Sequence, residues 1–211
     1  MPRPNILYLH SHDTGRYIRP YGYAVPTPNL QRLAEGGVLF RQAFSVAPTC
    51  SPSRAGLVTG MCAHSAGMIG LAHRGFALND YGKHLVHTLR AAGYESTLIG
   101  VQHVAAKAET IGYDRVVPLE GRHAEHVTPA AVSFLRDAPK EPFFLSVGYV
   151  ETHREFPEPG PQEDLRYCRP PAPLPDTPET RRDMAAFMAS ARRLDDGMGA
   201  VLRALDEAGL A

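Results

Sequence analysis

An excess of charge of either sign is the first thing this sequence lacks: 22 basic and 22 acidic residues cancel to a formal net charge of zero over 211 positions. That balance argues against a surface built to hold nucleic acid or another polyanion by bulk charge. Cysteine is scarce as well. Cys50, Cys62 and Cys168 are an odd number without regular spacing, which speaks against a disulfide-stapled secreted scaffold. Long apolar runs are also missing, since the opening MPRPNILYLH is too short for a signal peptide or membrane span and carries no small-residue cleavage site. These absences predict a cytoplasmic protein with neither a membrane nor a nucleic-acid partner.

What is present is a globular composition, 44% hydrophobic, long enough for one domain with a real core, and an unusual ten histidines. Short apolar runs alternate with amphipathic stretches and no internal repeat is apparent, the pattern of an α/β fold with a largely parallel sheet flanked by helices. Strands are expected over Asn5 to His10, Val38 to Phe44, Glu95 to Gly100 and Pro142 to Tyr149. Helices are expected over Thr27 to Glu35, His84 to Ala92, Thr128 to Asp137 and Glu179 to Ala208, the last interrupted at Gly197 and Gly199. The Pro-rich, charged stretch Glu155 to Pro178 reads as a surface excursion.

Polar residues gather just after three of these strands, where open α/β sheets place their ligands. Ser11, His12, Asp13, Thr14 and Gly15 follow the first, Gln102 and His103 follow ESTLIG, and Glu151 to Arg154, including His153, follow PFFLSVGY. A fourth cluster is PTCSPSRAGLVTG, Pro48 to Gly60. Ser51 is placed to cap a helix, Pro52 suits its first position and Gly60 its end. Cys50 then lies where free backbone N–H groups point outward, with the planar donor fork of Arg54 one turn further on. The combination reads as an oxyanion site. A tyrosine-phosphatase loop is excluded, because it needs five residues between Cys and Arg and here there are three.

Cys50-Ser51-Pro52-Ser53-Arg54, followed by Thr59-Gly60, resembles the sulfatase signature C-x-P-S-R-x-x-x-x-T-G of the alkaline-phosphatase superfamily. Thr27-Pro28-Asn29-Leu30, the GVLFRQAF run, Gly93-Tyr94, His103 and His153-Arg154 extend the resemblance over most of the chain, and HSAGMIGLAHRGF is similar to a stretch of the heparan N-sulfatase (sulfamidase) branch. The resemblance implies an alkaline-phosphatase-like fold and a sulfuric-ester or sulfamate hydrolase acting on a sulfated small molecule or sugar. It further implies that a separate formylglycine-generating enzyme oxidises Cys50 to formylglycine, that Arg54 holds the oxyanion, and that His103 and His153 bond the formylglycine or protonate the leaving group. A divalent metal, Ca²⁺ in the family, would be held by Cys50 and by carboxylates after the first strand.

Three departures qualify that picture. Where two carboxylates are expected the pair is His12-Asp13, so Asp13 can serve a hard ion while His12 suits Mn²⁺ or Zn²⁺ better. Val101 replaces a lysine that donates to sulfate, leaving uncharged Gln102 as a substitute donor. The sequence stops at LRALDEAGLA, so residues 1–211 are expected to form an N-terminal sulfatase catalytic domain, truncated before the strand of the second metal pair, with the activity of this piece left open. A phosphate- or phosphonate-ester hydrolase of the same superfamily and a catalytically dead remnant acting as a binding module remain as alternatives.

Overall fold

The computed structural model describes residues 3–211. Four strands, β1 (Ile6–His10), β2 (Glu95–Gly100), β3 (Arg115–Val117) and β4 (Phe143–Gly148), form one parallel sheet in the order β1-β4-β2-β3. All six residues of β4 are buried, as the PFFLSVGY run predicts for a central strand with both faces covered. Its side chains alternate. Phe143, Leu145 and Val147 join Val127, Ala131 and Leu135 of helix α5 (Ala124–Arg136) and Leu194, Met198 and Val201 of helix α6 (Pro178–Glu207). Phe144 faces the opposite layer, with Val86 of helix α4 (Leu85–Ala91), Val104 and Ile111. The result is a three-layer α/β domain, with helices α1 (Pro28–Gly36), α2 (Cys50–Thr59) and α3 (Ala63–Ala66) completing it.

Two expectations need correction. Val38 to Phe44 forms no strand: Val38, Phe40 and Phe44 stand 80%, 70% and 89% exposed, and no neighbouring strand pairs with them. A β-prone run without a hydrogen-bonding partner stays irregular. Helix α6 is not broken at Gly197 and Gly199 but runs unbroken for 30 residues. Those glycines serve packing, because a Cβ on Gly197 would lie 2.7 Å from Thr128 Oγ1 and one on Gly199 2.3 Å from the Asn29 side chain. The close approach lets buried Asp195 accept from the backbone N–H of Asn29 at 3.0 Å and of Leu30 at 2.8 Å. Helix α1 is therefore capped by a carboxylate from α6, and the Thr27 side chain makes no cap bond.

The register aligns the strand ends that matter. His10, Gly148 and Gly100 are lateral neighbours, so the loops after β1, β4 and β2 leave the sheet at one level. Glycine is required there by space: a Cβ on Gly148 would fall 2.0 Å from the Val101 carbonyl oxygen, and one on Gly100, whose φ is +86°, 2.2 Å from that of Gly148. The stretch 155–177 contains neither helix nor strand, in keeping with its proline and charge content, although Glu163 within it is buried and ion-paired to Arg192.

Candidate active site

Cys50 is the first residue of α2, with Thr49 preceding it in extended conformation. Ser51 is therefore not the cap. It is buried in the first turn, and its Oγ accepts from the Ala72 N–H at 3.1 Å, tying α2 to the segment that carries His73. Pro52 also lies inside the first turn, where its missing N–H costs nothing, and Gly60 ends the helix in the left-handed conformation, donating to the Gly56 carbonyl at 2.9 Å.

Arg54 is locked from two sides. Its Nη1 donates to His10 Nδ1 at 2.6 Å and its Nη2 to the Ser11 carbonyl at 2.7 Å, while its Nε is buried with no partner. By accepting at Nδ1, His10 keeps its proton on Nε2, which lies 3.5 Å from Ser146 Oγ. Burial pushes His10 well below the ordinary imidazole range, and the Arg54 charge pushes it the same way. His10 is thus a neutral acceptor that aims the guanidinium.

His12 turns inward from the same loop and is 4% exposed. Two backbone bonds hold it there: its N–H donates to the Glu151 carbonyl and its own carbonyl accepts from the Thr152 N–H, each at 2.8 Å. The Thr152 hydroxyl donates to the same His12 carbonyl at 2.8 Å. Burial first, then Arg54 and neighbouring histidines, lower the His12 pKa to about 3. Asp13 adopts φ +50° and its side chain is 58% exposed, so the two adjacent residues part company. Asp13 stands on the rim, with Oδ2 3.9 Å from His153 Nε2.

His103, from the loop after β2, sits beside His12 with ring centroids 5.5 Å apart, and His153, from the loop after β4, packs edge-on to His12 at the same separation. One donor atom each from His12, Cys50 and His103 lies within 4.8 Å of the others. The sequence-predicted residues Cys50, His12, His103 and His153 are thus brought together, with Arg54 behind them and Asp13 at the edge. Burial and the Arg54 charge lower His103 as well, so it too is a neutral imidazole near pH 7.

Gln102 does not reach the cluster as a donor. Its amide staples its own loop, Nε2 donating to the Ala105 carbonyl at 2.6 Å and Oε1 accepting from the N–H of Ala105 at 2.9 Å. Val101 is buried, its N–H spent on the Gly148 carbonyl at 2.9 Å, so neither position 101 nor position 102 presents a donor to the cluster.

Sequence reasoning missed two participants, His10 and His73, and named Glu151 without giving it a task. His10 reads only as the last residue of a strand, His73 contacts His103 through an Nδ1 to Nε2 hydrogen bond of 3.1 Å, and buried Glu151 accepts at Oε1 from the Ala124 N–H at the start of α5. The clue available for His10 and His73 was the histidine count itself, because five of the ten converge here. Beside Asp13 opens a cleft of about 190 Å³ lined by Tyr17, Phe156, Met184, Phe187 and the ion-paired Arg154 and Asp183.

Among the described residues, this cluster presents nitrogen and sulfur rather than the six to eight oxygens that Ca²⁺ takes. The donor set does not fit that ion.

The family model described as Sulfatase matches residues 4–211. Human N-sulphoglucosamine sulphohydrolase is 31% identical over 246 aligned positions, covering 98% of this chain and 48% of that protein. Among solved structures, the yidJ protein of Bacteroides fragilis superposes with a TM-score of 0.82 at 20% identity, over 100% of this chain and 60% of its own. The phosphonate monoester hydrolase of Agrobacterium radiobacter does so with a TM-score of 0.73 at 19% identity, over 99% and 60%. The chain spans about half the length of the curated relative it matches.

Proposed function

The chain belongs to the sulfatase family, and from that premise we propose that it carries the nucleophile and anion-binding half of a sulfuric-ester or sulfamate hydrolase acting on a sulfated sugar. One observation carries the reading: Cys50 opens α2 within reach of His12 and His103, with Arg54 clamped by His10 and the Ser11 carbonyl one turn along. Formylglycine made from Cys50 by a formylglycine-generating enzyme would supply, as its hydrate, a hydroxyl to attack sulfur and a second whose deprotonation expels sulfate by C–O cleavage, which a thiol cannot do.

The chain's own residues have separable tasks in this reading. The α2 N-terminus and Arg54 stabilise the negative charge that grows on the sulfuryl oxygens, Arg54 through the buried Nε–H that no protein group uses. Because Nη1 and Nη2 are each tethered by a hydrogen bond, the guanidinium is held in one orientation, which is the preorganisation that anion stabilisation requires. His12 and His103, held neutral, serve as hydrogen-bonding or ligating groups rather than as acids. His153, on the rim near Asp13, takes in this reading the task of handing a proton to the departing alcohol or amine. The leaving sugar ring is assigned to the cleft of Tyr17, Phe156 and the Arg154–Asp183 pair, where aromatic faces and charged hydrogen-bonding groups meet.

None of the three cysteines is disulfide-bonded, and among the described residues no helix is long and apolar enough to cross a membrane. The test is peptide mass spectrometry after co-expression with an active formylglycine-generating enzyme. Cys50 is expected as the aldehyde, with Cys62 and Cys168 unchanged. A persistent thiol at Cys50, with a control substrate converted, would remove it as the precursor of the nucleophile. Sulfate-ester turnover is expected to exceed phosphate- or phosphonate-ester turnover, and the reverse order would move the assignment to the phosphoryl branch of the superfamily.

A further inference from the structure

We propose that, while Cys50 is a thiol, the chain holds a Zn²⁺ ion between His12, Cys50 and His103, with a fourth position open to water. The three donor atoms already lie within 4.8 Å of one another. Tetrahedral Zn²⁺ with bonds of about 2.0–2.3 Å sets its ligands roughly 3.5 Å apart, so closure needs each pair to approach by no more than about 1.3 Å. Small adjustments of χ1 and χ2 in one cysteine and two histidines supply that. As the S–Zn bond forms, the thiol proton leaves to solvent.

The unpartnered atoms supply an independent argument. His12 is 4% exposed, yet its Nδ1 has no hydrogen-bond partner, and the Nδ1 of His103 is likewise buried and unpaired. Orphaned nitrogens of this kind are uncommon and costly unless a ligand uses them. On His103 the other ring nitrogen, Nε2, is bound to His73 Nδ1 at 3.1 Å. That is the arrangement of a metal-binding histidine: the outer nitrogen carries the proton and donates it to a second group, which turns the inner nitrogen toward the ion. His73 is then a positioning residue for His103.

Ligand chemistry selects the metal. Two imidazoles and a thiolate suit Zn²⁺ and give no foothold to Ca²⁺ or Mg²⁺. Charge then makes the sulfur essential. Arg54 and Arg122 both bear on His12 and His103, and the same positive field opposes a bare dication. The Cys50 thiolate offsets part of that field, so a site stripped to its two imidazoles loses most of its affinity. This inference concerns the unconverted chain and stands or falls apart from the hydrolase reading.

The experiment titrates Zn²⁺, Ca²⁺ and the spectroscopic substitute Co²⁺ into the full chain, with the Cys50 thiol confirmed by mass. One Zn²⁺ is expected to bind, and Co²⁺ to give a thiolate charge-transfer band that disappears in Cys50→Ser. His12→Ala and His103→Ala should each weaken Zn²⁺ binding by more than about 100-fold, beyond the loss an outer-shell partner causes, whereas Asp13→Ala should leave it unchanged. Tighter Ca²⁺ than Zn²⁺ binding, a band that survives Cys50→Ser, or dependence on Asp13 would overturn the assignment. A measurement on the unmutated chain guards against variants that fail to fold: Zn²⁺ should slow iodoacetamide alkylation of Cys50 while exposed Cys62 reacts at its usual rate. Equal Cys50 rates with and without Zn²⁺ would refute the site.

Discussion

His84 links a single buried imidazole to the acid stability of the whole domain. It is 2% exposed, and its Nδ1 caps α4 by accepting from the Val86 N–H at 3.2 Å. A protonated ring could not accept that bond at Nδ1. Burial first, and the nearby His87 second, lower its pKa to about 4. In the unfolded chain it titrates near 6.5. Above that value both states are neutral and the contribution is fully present. As pH falls from 6.5 toward 4 the unfolded chain takes up a proton that the native state refuses, so stability is lost at about 1.4 kcal/mol per pH unit, about 3 kcal/mol in all. His84→Asn keeps a capping acceptor without the titration, at a cost of about 1 kcal/mol near pH 7.5 for the missing ring. Urea unfolding at a series of pH values between 7.5 and 4.5 therefore gives curves that cross: wild type more stable at neutral pH, the variant more stable in acid. The low values of His10, His12 and His103 steepen both curves equally and drop out of the difference. Parallel curves would show that His84 titrates alike in both states and would refute the argument from burial.

Gly148→Ala should destabilise the domain by at least about 3 kcal/mol in the same denaturation assay, because the new methyl group falls 2.0 Å from the Val101 carbonyl oxygen and 2.5 Å from the His10 ring. A loss under about 1 kcal/mol would mean that the strand ends are not as close as described. Asp195→Asn keeps the size but leaves one of the two α1 N–H groups without an acceptor, so thermal unfolding should show a loss of about 2 kcal/mol. An unchanged melting temperature would deny the carboxylate its role as the cap.

The layers and the central strand could be read before any coordinates, because they follow from local rules. A strongly apolar run bounded by proline and glycine becomes β4, and Thr-Pro at the start of a periodic segment becomes α1. Long-range spacing could not be read. Gly197 and Gly199 look like breaks from within one segment, since glycine lowers helix propensity, but their reason lies on α1 and in the Thr128–Tyr149 contact, remote in sequence. The GVLFRQAF run fails in the opposite way. Its Val, Leu and Phe residues suit a strand, yet a strand exists only where a neighbour offers hydrogen bonds, and among the described residues none does.

The site shows the same division between local and long-range information. Cys50, Arg54, His103 and His153 were legible because the motif and the strand ends fix where their backbones go. Side-chain direction was not. His12 and Asp13 are adjacent letters that suggest a shared task, but the φ of +50° at Asp13 and the two backbone bonds between His12 and the Glu151–Thr152 pair send one inward and leave the other on the rim. The inward residue then meets His103, and His103 meets His73, an encounter between three loops that no spacing encodes. Arg54 adds the electrostatic consequence. Burial first, and the Arg54 charge second, hold His10, His12 and His103 unprotonated, so Arg54 reinforces a desolvation that already leaves their nitrogen lone pairs free. Under the two proposals made above, the state of Cys50 decides whether the pocket takes an anion or a metal. As a thiolate it supplies the negative charge that a cation needs beside Arg54, and once that sulfur is gone the balance of charge favours the anion.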